Sequence, residues 1–202
     1  MKTEIEKLNL LTERTNRNYE AFLYDCDGTL ADNMGLHKLS YKTVANKYGV
    51  DLDTAIIDEL AGWPTAVVVQ EIGKRYGVNF PDTFVAEKYA AFFEDYIDQT
   101  QPIEFVAQHL KQHAGKVRIA VVSGSGRPSV ERTLNLLGLL PFVEVLVCAG
   151  ETERGKPFPD PFLAAAEKLG VDPSKCLVFE DGQPGVDSAI AAGMDWVRVD
   201  KI

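Results

Sequence analysis

Short strand-like runs, each stopping abruptly at a polar residue, constrain the fold of this chain more than any other feature. Ala21-Phe22-Leu23-Tyr24 stops at Asp25, and Val117-Arg118-Ile119-Ala120-Val121-Val122 stops at Ser123. Val143-Glu144-Val145-Leu146-Val147 leads into Cys148-Ala149-Gly150, and Cys176-Leu177-Val178-Phe179 stops at Glu180. Runs this short, rich in β-branched and aromatic residues, read as buried strands. Helix-length segments alternate with them: 103–114, 128–137, 160–169 and 184–192, with a last strand at 195–199. Strands alternating with helices of this length specify right-handed βαβ units and a parallel sheet.

The fold class predicted is therefore α/β, a Rossmann-like three-layer core. In such a sheet, ligands bind outside the carboxyl ends of the strands. Asp25, Asp27, Ser123, Lys156 (in Gly155-Lys156-Pro157), Glu180 and Asp181 would converge there although they lie far apart in the chain. Carboxylates placed side by side raise one another's pKa. A divalent, oxygen-seeking cation removes that cost, and Mg²⁺ is typically held by one or two carboxylates plus substrate phosphate oxygens. Gly28 and Thr29 follow the first carboxylates, and Gly124 and Gly126 flank the serine loop, where they open the backbone to an anion.

Between the first strand and the rest, strand signals disappear. His37 to Tyr48, Asp53 to Leu60, Thr65 to Tyr76 and Pro81 to Asp98 read as helices, with Asp53 and Thr65 as N-caps. Leu36, Leu39, Val44 and Tyr48 form one apolar stripe, and Phe84, Tyr89, Phe92, Phe93 and Tyr96 another. This block predicts a small helical cap over residues 33–99, inserted into an α/β core made of 1–32 and 100–202. Ala31 to Gly35 and Thr100 to Pro102 read as its hinges. Ile5, Leu8 and Leu11 predict a short surface helix or a frayed end. His109 and His113, one turn apart with no third ligand near, predict a solvated helix face.

At 202 residues and 46% hydrophobic composition, the chain can bury a substantial core. A formal charge of −9 excludes nucleic acid and an anionic membrane as partners, since both demand a basic face. A small phosphorylated substrate remains, because local charge decides that. Cys26, Cys148 and Cys176 show no paired spacing and read as apolar fillers of a reduced, cytoplasmic protein, expected as a monomer or weak dimer. Neither a signal peptide nor an apolar run long enough to span a membrane is evident.

In order and spacing, the motif segments resemble those of the haloacid dehalogenase superfamily of phosphohydrolases, over nearly the whole chain from about Tyr19. The helical insert resembles the small cap of the branch that contains β-phosphoglucomutase and many sugar-phosphate phosphatases. The resemblance implies a Mg²⁺-dependent phosphatase with Asp25 as nucleophile and Asp27 as general acid/base. Ser123 would hydrogen-bond a phosphoryl oxygen, and Lys156 would offset charge on the nucleophile. The metal would be held by Glu180 and Asp181, with Asp25 and the backbone carbonyl of Asp27. His37, Gly124 and Thr65 would meet the substrate. In the mutase of this branch an Arg and a Lys of the cap loop hold a second phosphate. The matching loop here, Leu60 to Thr65, carries Ala61 and Thr65 instead, which favours a phosphatase over the alternative phosphosugar mutase. Its Gly62-Trp63-Pro64-Thr65 stretch is similar to that of fructose-1-phosphate phosphatase-like members. A phosphonatase would need a cap lysine, for which Lys38, Lys42 and Lys47 are the candidates. A regulatory module without turnover would usually lack Asp25, Asp27 or Lys156. Trp63 and Phe158 border the expected cleft, with buried packing as the default for both.

Overall fold

The structure, a computed structural model, describes residues 2–60 and 63–202. Ala61 and Gly62, on which part of the cap-loop reading falls, lie outside the described residues. In chain order the elements begin with α1 (Glu4–Thr15), β1 (Ala21–Tyr24) and β2 (Ala31–Asp32). Next come α2 (Met34–Lys47), α3 (Ala55–Glu59), α4 (Thr65–Tyr76) and α5 (Phe84–Ala91). Then follow β3 (Gln101–Pro102), α6 (Glu104–His113), β4 (Arg118–Val122), α7 (Arg127–Leu136) and β5 (Val145–Val147). The chain closes with α8 (Asp160–Leu169), β6 (Cys176–Glu180), α9 (Gln183–Ala191) and β7 (Asp195–Arg198). These elements form two compact units, one of the residues up to Asp32 with Gln101–Ile202, the other of Asn33–Thr100.

The first unit is built on a five-stranded sheet, ordered β5-β4-β1-β6-β7, with every pairing parallel. Parallel strands covered on both faces must be apolar throughout, and all four residues of β1 and all five of β6 are buried. Alternation along the strands sends Phe22, Tyr24, Ile119, Val121, Leu177 and Phe179 to one face, under Leu11 of α1, Leu110 of α6 and Leu134 of α7. Leu23, Ala120, Val122 and Val178 point the other way, under Phe162 and Leu169 of α8 and Ala189 of α9. Helix, sheet and helix give three layers. Where the chain leaves the first unit and where it returns to it, β2 and β3 form a two-residue antiparallel pair, Ala31 opposite Pro102 and Asp32 opposite Gln101. Segments this short carry no periodicity and read as hinge loops in the sequence.

Of the two expectations for the N-terminal segment, the surface helix holds and the frayed end does not. A capping box between Thr3 and Glu6 starts α1, Leu11 is fully buried, and Thr15 closes it in the core. His109 corrects the solvated-face expectation: it is 0% exposed. Its Nε2 lies 2.9 Å from Thr15 Oγ1 and its Nδ1 2.9 Å from the Tyr24 hydroxyl. The i, i+4 spacing does put both histidines on one face, but α1 and the sheet cover that face.

The second unit packs α2 to α5 around Tyr41, Val44, Ile56, Val68, Ile72 and Phe84. Its α2 buries His37, Ser40, Tyr41, Val44 and Ala45, while Leu39 of the expected stripe is exposed. Pro64 occupies the cap position of α4, so Thr65 is its first helical residue and not the cap. The single helix expected to Asp98 gives way after Ala91 to a π-helical turn over Phe92–Tyr96 and a 3₁₀ turn over Ile97–Gln99. Among the described residues, no helix is long and apolar enough to cross a membrane.

Candidate active site

Strand ends deliver the chemistry in the first unit. The chain leaves the central strand β1 for β4 on one side and later enters β6 on the other, which makes its carboxyl end a switch point. The ladders run one step past the strands. Asp25 N donates to Phe179 O at 2.9 Å, and Ser123 N donates to Val147 O at 2.9 Å. Both residues therefore stand on fixed backbone just where side chains leave the sheet. The chain then doubles back, with the N–H groups of Leu30 and Ala31 both 2.9 Å from Cys26 O. Gly28 sits in this turn at φ +86°, and a Cβ there would run into the Asp181 carboxylate, so conformation and space both require glycine.

Lys156 spends its ammonium on three acceptors: Asp25 Oδ1 at 2.6 Å, Glu180 Oε1 at 2.5 Å and Val122 O at 2.8 Å. The loop that carries it is pinned on both sides. Arg154 pairs bidentately with Asp160 at 3.0 and 2.8 Å, and Ser188 Oγ donates to Phe158 O at 2.6 Å. Phe158 lies under the Arg154 guanidinium and is exposed, as is Trp63 at 57%, so neither follows the buried default. Glu180 tucks under α9, where a Cβ on Gly185 would overlap its carboxylate.

Asp25, Glu180 and Asp181 each place an oxygen within 4.8 Å of the others'. Burial pushes Asp25 up to about 7; the Lys156 ammonium pulls it down, while the Glu180 and Asp27 carboxylates add to the rise. Burial likewise pushes Asp181 up to about 7, with Asp25 adding to it, and raises Glu180 against the pull of Lys156. For Lys156 burial opposes the charge, yet Asp25 and Glu180 outweigh it and hold the ammonium above its ordinary pKa. Three carboxylates, Asp25 and Glu180 buried and Asp181 half-buried, thus face one ammonium. An all-oxygen donor set with unbalanced negative charge fits a hard divalent cation.

Asp27 has a different address. Its Oδ2 accepts from Ser125 Oγ at 2.6 Å and from Ser123 Oγ at 3.4 Å, and the Ser125 N–H is 3.0 Å from Ser123 Oγ. Thr29 Oγ1 donates to Asp181 Oδ1 at 3.3 Å. Of the expected site residues, Asp25, Asp27, Ser123, Lys156, Glu180 and Asp181 are brought together at this edge, with Gly124 in the serine loop. His37 and Thr65 belong to the second unit. There, His37 stacks on Phe92 at 3.8 Å with Nδ1 2.9 Å from Lys88 Nζ, and Thr65 Oγ1 is 2.9 Å from the Tyr89 hydroxyl. Lys38 and Lys42 form ion pairs with Asp58 and Asp51, whereas the buried Lys88, its ammonium over the Tyr41 and Tyr89 rings, escaped sequence reasoning. Ser125 escaped it too, although the Ser-Gly-Ser alternation already puts two hydroxyls in one loop. The cysteines are buried and free, and burial pushes the Cys26 thiol up, with Asp27 and Asp25 adding to the effect.

Known proteins resemble this chain over most of its length. The family model described as haloacid dehalogenase-like hydrolase matches residues 22–199. A fructose-1-phosphate phosphatase of Escherichia coli is 34% identical, over 90% of this chain and 96% of its own length. A phosphorylated carbohydrates phosphatase of Thermotoga maritima is 32% identical, over 87% of this chain and 82% of its own. The crystal structure of a β-phosphoglucomutase from Clostridium difficile superposes with a TM-score of 0.74 at 27% identity, covering 88% of this chain and 83% of that one.

Proposed function

The chain belongs to the haloacid dehalogenase-like hydrolases and is a phosphatase of phosphoric monoesters; from that premise we propose that it hydrolyses a small sugar phosphate through an aspartyl-phosphate on Asp25. One observation carries the mechanism. Two aspartates two positions apart are given opposite surroundings, Asp25 against the Lys156 ammonium and Asp27 against serine hydroxyls. Carboxylates separated in this way take separate roles. The Asp25 carboxylate attacks phosphorus while the bond to the leaving oxygen breaks, and that oxygen takes a proton from Asp27. Asp27, now a carboxylate, takes a proton from water as the water oxygen bonds to phosphorus and the phosphorus–Asp25 bond breaks. Inorganic phosphate leaves and both aspartates return to their starting states. Splitting one displacement into two in this way is what a covalent intermediate offers.

Lys156 offsets charge on Asp25, and Ser123 with the backbone at Gly124 donates to the phosphoryl oxygens. Asp25, Glu180 and Asp181 would hold Mg²⁺, with the backbone carbonyl of Asp27 as a further ligand; bound there it supplies positive charge toward the phosphoryl oxygens. The named phosphatases among the relatives, acting on fructose 1-phosphate and phosphorylated carbohydrates, support a sugar phosphate as substrate and a phosphatase over a mutase.

Phosphate release across a panel of phosphorylated metabolites tests the reading, with fructose 1-phosphate expected among the substrates. Asp25→Asn is nearly isosteric and should lower release by at least about a thousandfold with the fold retained. EDTA should stop the wild-type reaction and Mg²⁺ restore it. Conversion between isomeric monophosphates in place of phosphate release would identify a mutase instead.

A further inference from the structure

We propose that Ser125 is the positioning residue for Asp27, fixing which carboxylate oxygen carries the proton that the leaving group takes. This role rests on the acid/base assignment above. Two serines flank Gly124, and the structure does not treat them alike. Ser125 Oγ approaches Asp27 Oδ2 to 2.6 Å, well inside the 3.4 Å of Ser123 Oγ. Ser125 is buried and pinned through both of its backbone polar groups. Its N–H donates to Ser123 Oγ at 3.0 Å, and its carbonyl accepts from Ala149 N at 3.0 Å.

Ala149 belongs to the segment after β5, and a second tie fastens that segment to the serine loop. Arg127, at the start of α7 just beyond Ser125 and Gly126, grips Glu151 through Nε at 2.7 Å and Nη2 at 2.9 Å. The same Nη2 donates to Leu146 O at 3.1 Å, and Glu151 Oε2 accepts the Cys148 N–H at 3.2 Å. The Ser125 hydroxyl is thus aimed by two loops braced against each other.

The consequence for Asp27 is directional. The terminal torsion of an aspartate is broad and roughly two-fold, so an unheld carboxyl exchanges its oxygens readily. A hydroxyl that donates to Oδ2 marks that oxygen as acceptor, and the acid's proton then resides on Oδ1. Ser125 touches neither the phosphoryl group nor the leaving oxygen in this scheme; it acts through Asp27.

Leaving-group chemistry separates this role from mere packing. Alkoxide departure from a sugar phosphate needs the proton, whereas p-nitrophenolate departs without it. The ratio kcat/KM reports only steps up to that departure, so the base role of Asp27 toward water does not enter. Ser125→Ala should lower kcat/KM for fructose 1-phosphate, or for the best sugar phosphate in the panel, by about ten- to a hundredfold. For p-nitrophenyl phosphate the fall should stay within about threefold, because little acid catalysis is there to lose. Ser125→Thr should restore most of the sugar-phosphate activity, while Ser125→Val, of the same shape without a hydroxyl, should not. That pair decides the matter even where the alanine variant folds poorly. Equal losses on the two substrates, or Thr and Val variants that behave alike, would overturn the assignment. A wild-type enzyme that releases phosphate from neither substrate would overturn the phosphatase mechanism first, and this role with it.

Discussion

Two largely buried polar clusters start from Tyr24, the last residue of β1, and from Asp25 just after it, and they are balanced in opposite ways. Tyr24 turns down into the α1–α6 layer, where its hydroxyl meets His109 and His109 meets Thr15. Thr15 Oγ1 also donates to Thr12 O at 3.1 Å, so it accepts from His109 Nε2–H and leaves Nδ1 to accept from Tyr24. Every ring and hydroxyl partner is thereby satisfied without a single charge. Asp25, one residue on, enters a cluster of three carboxylates and one ammonium in which burial raises the acids. A fully satisfied neutral network holds a fold together and does no chemistry. An under-compensated one is poised for a cation and an anionic substrate, and retains the strain of its unmatched charge. The sheet supplies both environments within one peptide bond because alternation and strand termination send neighbouring side chains to different places.

The largest break in this contrast is removal of the single cation. Lys156→Met keeps the length of the side chain and leaves Asp25 and Glu180 facing each other in the buried site. Stranding a buried ion-pair partner costs about 3–5 kcal/mol, so urea unfolding in metal-free buffer should show a loss of that order. Added Mg²⁺ should recover part of it, because the cation takes over the missing charge. A variant as stable as the wild type without metal would mean that the carboxylates are not under-compensated at all.

Gly185→Ala sharpens the same contrast without removing any charge. The new Cβ overlaps the Glu180 carboxylate, which must then slide away from Lys156. Overpacking of this kind costs about 1–3 kcal/mol. The informative measurement is the Mg²⁺ concentration for half-maximal activity, which should rise, since Glu180 is displaced from the oxygen cluster. An unchanged Mg²⁺ requirement with lowered stability would remove Glu180 from the metal's ligands and leave it only as the partner of Lys156.

How legible this was follows from what each residue needs in order to be read. Strand ends are legible, because an apolar run has to stop and the polar residue that stops it is visible: Asp25, Ser123 and Glu180 are found this way. Parallel pairing is legible from the strand–helix rhythm, and the sheet has it. Ser125 was not, because nothing in Ser-Gly-Ser says which hydroxyl turns toward Asp27; that depends on Ala149 and Glu151 from another strand's loop. The β2–β3 pair was not, since two residues cannot display a period of two. His109 was misread for a related reason. A helix face polar in its own sequence looks solvated until a distant segment covers it, and Thr15 lies on a different helix entirely.

That misread histidine gives the smallest expected effect and the most direct test of the neutral cluster. Burial pushes His109 down to about 3, and the His113 ring beside it adds to the effect. In the unfolded chain the ring titrates near its ordinary value of about 6.5. Between these values the unfolded state binds a proton that the folded state refuses, so stability increases with pH across that window. The contribution is complete above about pH 6.5 and is lost progressively as the pH falls toward 3. His109→Gln removes the titration while offering an amide N–H to Thr15 and an amide oxygen to Tyr24. Unfolding free energies measured between about pH 4 and pH 6 should therefore fall less steeply for the glutamine variant, by about 1 kcal/mol per pH unit. The comparison has to be made as a difference between the two proteins, because the raised carboxylates at the other cluster contribute a pH dependence of opposite sign to both. Parallel curves would show that the folded protein accepts a proton at His109, and the cluster below β1 would then be no more neutral than the one at its end.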